Sequence, residues 1–156
     1  MRILLITLCL LSVGLTIPHA STAQSSEAEV AAVIDSLFDA MRTGNGPAAA
    51  VLFHPDALLS SIAEQDGQPI LRTDPAEGFI QAVGAPRTQV WDERISNLEV
   101  RVDGRLATAW MDYSFFIDDT FSHCGVNAFQ LFRGSAGWRI IHITDTRRVE
   151  DCAQTR

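Results

Sequence analysis

Four stretches in the second half of the chain decide the fold: Thr88–Val102 (TQVWDERISNLEVRV), Leu106–Ile117 (LATAWMDYSFFI), Phe121–Phe132 (FSHCGVNAFQLF) and Trp138–Arg147 (WRIIHITDTR). Each is rich in β-branched and aromatic residues and alternates in polarity, which is the signature of a strand. The breaks between them are turn-forming: Asp103-Gly104, Asp118-Asp119 and Gly134 to Gly137. Short connections join antiparallel neighbours, so these stretches predict a run of long antiparallel strands.

Upstream the period changes. Val30, Val33, Ile34, Leu37, Phe38 and Met41 recur at helical spacing behind Glu27 and Glu29, acids suited to a first helical turn. Gly44-Asn45-Gly46-Pro47 ends this helix, and Pro47 opens a short second one to about Phe53. His54-Pro55-Asp56 reads as a turn, Ala57–Ile62 as a short strand, Gln65-Asp66-Gly67 as a hairpin turn and Gln68–Arg72 as the return strand. Thr73 or Asp74 then caps a third helix with Pro75 at its first position, and Gly84-Ala85-Pro86 stops it. Helices first and strands after give an α+β class with the helices on one face of the sheet.

Residues 1–23 are set apart. Arg2 precedes an apolar run from Ile3 to Ile17, Pro18 ends it, and Ser21-Thr22-Ala23 has the small-x-small pattern of a signal-peptide cleavage site, with Ala20 the alternative. The apolar run is shorter than the roughly 20 residues that span a bilayer. The expected product is therefore a periplasmic or secreted single domain, residues 24–156, with no stable membrane association after cleavage. Cys9 leaves with the leader, and Cys124 and Cys152 remain to form a disulfide in an oxidising compartment. Free thiols are the alternative.

The chain has 156 residues, a formal net charge of −7 and no lysine. Schiff-base chemistry and a lysine-dependent phosphate loop are excluded. The acidic balance argues against nucleic acid as a partner. Neither a CxxC, an HxH nor an HxxxH occurs, so no metal and no cofactor is expected.

The helical opening, Leu52-Phe53-His54-Pro55-Asp56-Ala57, Leu106-Ala107-Thr108-Ala109, Asn127-Ala128-Phe129-Gln130-Leu131 and Gly137-Trp138-Arg139-Ile140 together resemble the nuclear transport factor 2-like superfamily and its SnoaL-like domains. The resemblance covers about residues 27–148. It implies a cone, in which a curved sheet wraps the long helix around an apolar pocket. It also matches Asn127 to a pocket position of the isomerase and dehydratase members, which makes the His123/Asn127 face of its strand concave. Alternation then turns Ala107, Ala109, Met111, Tyr113 and Phe115 inward, along with Phe129 and, on the last strand, Ile141, Ile143, Asp145 and Arg147.

The expected ligand-binding set is Tyr113, Phe115, His123, Asn127, Phe129, Asp145 and Arg147. His123 is the candidate acid or base and Asn127 the candidate oxyanion donor. Asp145 and Arg147 either pair with each other or leave the arginine for a ligand. The resemblance also places a carboxylate base of the steroid isomerases at the position of Ser61, so that mechanism does not transfer. Trp91, Trp110 and Phe116 are expected on an outer apolar face that meets a second subunit as a homodimer. The reading is a domain that binds a small hydrophobic molecule. An acid–base enzyme and a non-catalytic interaction domain are the alternatives.

Overall fold

The computed structural model describes residues 20–152, with side chains from Gln24 onward. Most of the expected export segment lies outside the described residues; Ala20–Ala23 extend the first helix. In chain order the elements are α1 (Ala20–Thr43), α2 (Gly46–Ala50), β1 (Phe53–Gln65), β2 (Gln68–Pro75), α3 (Ala76–Gly84), β3 (Trp91–Asp103), β4 (Leu106–Ile117), β5 (Thr120–Gly134) and β6 (Gly137–Thr146). The six strands form one curved, open sheet in the order β2-β1-β6-β5-β4-β3. All neighbours are antiparallel except β1 and β6, which run parallel. A parallel pair needs a long crossover, and everything from β2 to β5 serves as that connection.

The apolar stripe of α1 settles into the concave face as its spacing predicts. Val30, Ile34, Leu37, Phe38 and Met41 are all buried, and the Phe38 ring meets Phe129 of β5 edge-on at 6.3 Å. Burial of each such side chain stabilises the fold by roughly 1.5–3 kcal/mol, so α1 is the plug around which the sheet curves. The exposed residues of the same helix are polar apart from Ala28 and Ala32; Glu29 accepts from the Trp138 indole N–H at 3.1 Å and pairs with Arg133 at 3.0 Å.

Several local readings change, each for a physical reason. Asn45 caps α2 through its side chain, and the helix stops at Ala50 because Phe53 already opens β1. His54-Pro55-Asp56 lies within β1, where the ladder to β6 slips between Phe53 and Leu58 and absorbs the proline. Neither Thr73 nor Asp74 caps α3. The β1–β2 ladder continues to Leu58 and Pro75, holding both residues extended, and the Thr73 hydroxyl bonds Ser60 at 2.8 Å. Pro75 is the N-cap, without a side-chain bond. β3 begins at Trp91, three residues later than predicted.

Two irregularities change which side chains face inward. Asn97 takes φ +54° where the β3–β4 register shifts, so Trp91 and Ile95 on one side of the bulge share a face with Leu98, Val100 and Val102 on the other. A second shift falls between Gln130 and Leu131 against β6, pairing Leu131 with Ile140. It turns Ile140 and Trp138 into the core in place of the predicted Ile141. Trp91 also departs from the expected outer face: it packs edge-on to Phe115 on the concave side, and the Arg87 guanidinium lies 4.4 Å over its ring. That guanidinium donates to the terminal carbonyls of Met41 and Val83, closing the ends of α1 and α3 together.

Beyond β6 the backbone keeps pairing at Cys124 and Arg148, and Cys124 and Cys152 form a disulfide with Cα atoms 5.8 Å apart. The bridge closes a loop over a sequence separation of 28 residues, for which chain entropy predicts about 3 kcal/mol of stabilisation. Cys152→Ser should therefore lower unfolding free energy by about 3 kcal/mol in urea denaturation. An unchanged midpoint would show that the tail contributes nothing to the fold.

Candidate functional site

The cone holds a half-open cavity of about 980 Å³ lined by α1, α3 and all six strands. All seven residues expected to bind a ligand line it: Tyr113 and Phe115 from β4, His123, Asn127 and Phe129 from β5, Asp145 from β6 and Arg147 just after it. Most of the wall is apolar, from Leu37, Phe38 and Met41 on α1 to Phe79 on α3 and Ile143 on β6. The polar groups gather on the sheet side in two clusters.

The first cluster is built on Asp145. Parallel pairing sets Ser61 of β1 directly beside it, and the Ser61 hydroxyl donates to one carboxylate oxygen. The other oxygen accepts from the Tyr113 hydroxyl at 3.2 Å and lies 3.6 Å from Arg147 Nε. Asp145 and Arg147 thus pair with each other. Tyr113 also reaches the Thr146 carbonyl at 3.0 Å, and its ring covers Gly125, its cross-strand partner. A Cβ on Gly125 would meet the Thr146 carbonyl oxygen at 1.7 Å and the Tyr113 ring at 2.9 Å. Only glycine permits this approach. Burial, with the Asp145 and Glu93 charges behind it, pushes the Tyr113 phenol upward, so it remains a donor at neutral pH.

The second cluster has a member absent from the sequence-derived set. Glu93 of β3 points inward between Trp91 and Ile95 and accepts from Asn127 Nδ2 at 2.6 Å. Burial raises its carboxyl from 4.5 to about 7; the Asn127 bond and Arg147 oppose that shift and Asp145 adds to it. Asn127 is 4% exposed and has no second protein partner among the described residues. The signal for Glu93 was its position, a lone acid on the apolar face of β3.

His123 stacks at a tilt on Phe115, centroids 5.0 Å apart, and meets the Tyr113 ring edge-on at 5.7 Å. Its Nδ1 bonds the Ser122 hydroxyl at 3.0 Å. Burial first, then the Arg147 charge, lowers it to about 4 against a weaker pull from Asp145, so the ring is neutral at pH 7. His142 lies on the convex face, bonded to Ser60 at 2.9 Å. Among the described residues no group of three or more His, Cys, Asp or Glu is placed to hold a metal ion.

The family model described as "Putative lumazine-binding" matches residues 25–144. The chain belongs to that family. Its cone and helix arrangement is that of the nuclear transport factor 2-like superfamily, shared with solved structures of low identity. An NTF2-like protein from Pseudomonas putida is 19% identical with a TM-score of 0.64, covering 80% of this chain and 87% of its own. One from Novosphingobium aromaticivorans is 16% identical at 0.63, with 84% and 86% covered. A "putative dehydratase" from Streptomyces avermitilis is 14% identical at 0.63, with 81% and 98% covered. A search of curated proteins finds no match.

Glu93 and His123 affect stability with opposite sign over overlapping pH ranges. Glu93 keeps its proton in the fold up to about 7 but loses it near 4.5 when unfolded, so its contribution falls as pH rises between those values. His123 protonates near 6.5 when unfolded but only near 4 in the fold, so its contribution is full above 6.5 and is lost as pH falls toward 4. Relative to wild type, Glu93→Gln should therefore gain about 3 kcal/mol as pH is raised from 4.5 to 7.5. His123→Gln should instead lose stability over that range. Denaturant midpoints measured against pH check both signs, and parallel profiles for all three proteins would contradict the assignment.

Proposed function

We propose that the cone binds a small, mostly apolar molecule, seated among Phe115, Phe129 and the α1 side chains, with one polar group held in the Glu93–Asn127 corner. The observation that carries this reading is a half-open, mostly apolar cavity in which a few polar side chains converge on one wall, the usual make-up of small-molecule sites. The family description, which names lumazine binding, supports a small-molecule ligand. Tyr113, His123, Asp145 and Arg147 frame the polar wall, and the neutral imidazole offers Nε2 to a ligand.

A second reading rests on Glu93. A carboxyl that titrates near 7 inside an apolar cavity is suited to move a proton at neutral pH. In this reading Glu93 is the acid or base, Asn127 or Tyr113 donates to a developing oxyanion, and neutral His123 is a hydrogen-bond partner. The "putative dehydratase" with the same fold is in keeping with it. Solvent deuterium incorporated next to the carbonyl of an aryl ketone, and lost in Glu93→Gln, would support catalysis.

We also propose that residues 1–23 direct export, which suits the Cys124–Cys152 bridge. Among the described residues no helix is long and apolar enough to cross a membrane. The homodimer is proposed through the convex sheet face, where Trp110 is 56% exposed. There Trp110→Asp should yield monomers in sedimentation equilibrium.

Binding is tested by blocking the mouth. Gly78 of α3 lines the cavity, and a Cβ there meets nothing within 4 Å. Gly78→Trp should leave stability within about 1 kcal/mol, since an exposed helical glycine is replaceable. It should weaken binding of 4-phenylbutanol at least ~10-fold in calorimetric titration by filling the ligand's place. Unchanged affinity would put the binding site elsewhere.

A further inference from the structure

We propose that the molecule taken by the cone is a hydrophobic amine, bound as its ammonium ion in the Glu93–Asn127 corner; this rests on the binding reading above. The cavity wall carries four carboxylates, Asp74, Glu77, Glu93 and Asp145, against two guanidinium groups, Arg72 and Arg147. Both arginines are engaged. Arg147 lies beside Asp145 at 3.6 Å, and Arg72 reaches along the β1–β2 hairpin to Gln65 Oε1 at 3.2 Å. Their remaining N–H groups could take an anion only beside the acids of a wall with more carboxylates than guanidinium groups.

Glu93 is in the reverse position. Among the described residues it has no cationic partner within ion-pair distance, and its single hydrogen bond comes from Asn127 Nδ2. That bond fixes the Asn127 amide: the nitrogen faces the carboxylate, which leaves Oδ1 as an unpartnered acceptor on a side chain only 4% exposed. Glu93 Oε2 and Asn127 Oδ1 are therefore two acceptors of one hydrogen-bonded pair, both left without a donor among the described residues, in a mostly apolar cavity. Buried acceptors without donors are costly, and a buried carboxylate without a counter-ion more so. A group that brings a positive charge and several N–H donors satisfies both, which describes a primary ammonium. An alcohol supplies one donor and no charge. A carboxylate supplies neither. The Phe115 ring beside the corner tolerates a cation at its face, and the rest of the cavity takes an apolar body.

The pH dependence follows from which groups face Glu93. Phe115 pairs with it across the β3–β4 ladder, Asn127 bonds it from β5, and Tyr113 of β4, Asp145 of β6 and Arg147 just after β6 interact with its charge; the α1 side chains that line the cavity are apolar. His123 titrates near 4, below the relevant range. Amine binding should therefore strengthen as Glu93 ionises through about 7.

Calorimetric titration with 4-phenylbutylamine, 4-phenylbutanol and 4-phenylbutyrate, three probes of one shape, tests the inference on the disulfide-bonded protein. At pH 8.5 the amine should bind at least ~10-fold tighter than the alcohol, and the carboxylate weakest. The amine's advantage should shrink about tenfold at pH 5.5, while the alcohol's affinity stays level. Glu93→Gln should bring amine and alcohol within about threefold of each other. If amine and alcohol bind alike to wild type at pH 8.5, or the carboxylate binds best, the amine assignment is overturned and the binding reading stands. If none of the three binds, both fall. Should Glu93→Gln fail to fold, the pH series on wild type decides alone.

Discussion

The Asp145 carboxylate ties three strands together at the mouth of the cone, and much of the architecture exists so that it can. Its two oxygens are shared among Ser61 of β1, Tyr113 of β4 and Arg147 at the end of β6. The first contact requires β1 to lie parallel beside β6 in a register that sets Ser61 opposite Asp145. The second requires the Tyr113 ring to cross β5, which it does over Gly125, where any side chain would strike the Thr146 carbonyl. One buried acid thus fixes the position of a hairpin, a tyrosine and an arginine. A carboxylate inside a protein is tolerated when it is paired and hydrogen-bonded, and this one is both.

Glu93 is the contrasting case. It lies on the same wall with one hydrogen bond and no close cation among the described residues, and burial raises its proton affinity toward neutrality. A group held in that condition destabilises the fold above its unfolded pKa, and natural chains retain such groups mainly where function needs them. The neutral His123 close by has the opposite pH dependence, so the two offset each other in mildly acid conditions. The wall therefore divides into a half whose polar groups satisfy one another and a half whose acceptors lack donors among the described residues, and the proposed ligand sits at the second.

Much of this arrangement was legible in the chain. The strand alternation, with the family resemblance selecting the concave face, placed Tyr113, Phe115, His123, Asn127, Phe129, Asp145 and Arg147 around one cavity. The cysteine pair followed from being the two cysteines that remain once the expected leader is set apart. Bulges and register were not legible. A one-residue slip reverses every side chain beyond it, and nothing in Gln130-Leu131 or at Asn97 announces that slip. Ile141 was consequently read as inward in place of Ile140, and Trp91 was assigned to the outer face. Glu93 went unnoticed because a charged residue in a strand reads as solvent-facing until its neighbours are placed. Ser61 was noticed only as a missing base; its bond to Asp145 depends on the parallel β1–β6 pairing, a long-range contact that local spacing does not encode.

The most direct test is to map a bound probe by NMR on the protein with its disulfide intact. Adding 4-phenylbutylamine should move the Asn127 side-chain amide resonances, the Glu93 carboxyl carbon and the His123 ring signals together, at a common saturation. Shifts confined to the convex face around Trp110, with the Asn127 and Glu93 signals unmoved, would contradict a ligand site inside the cone.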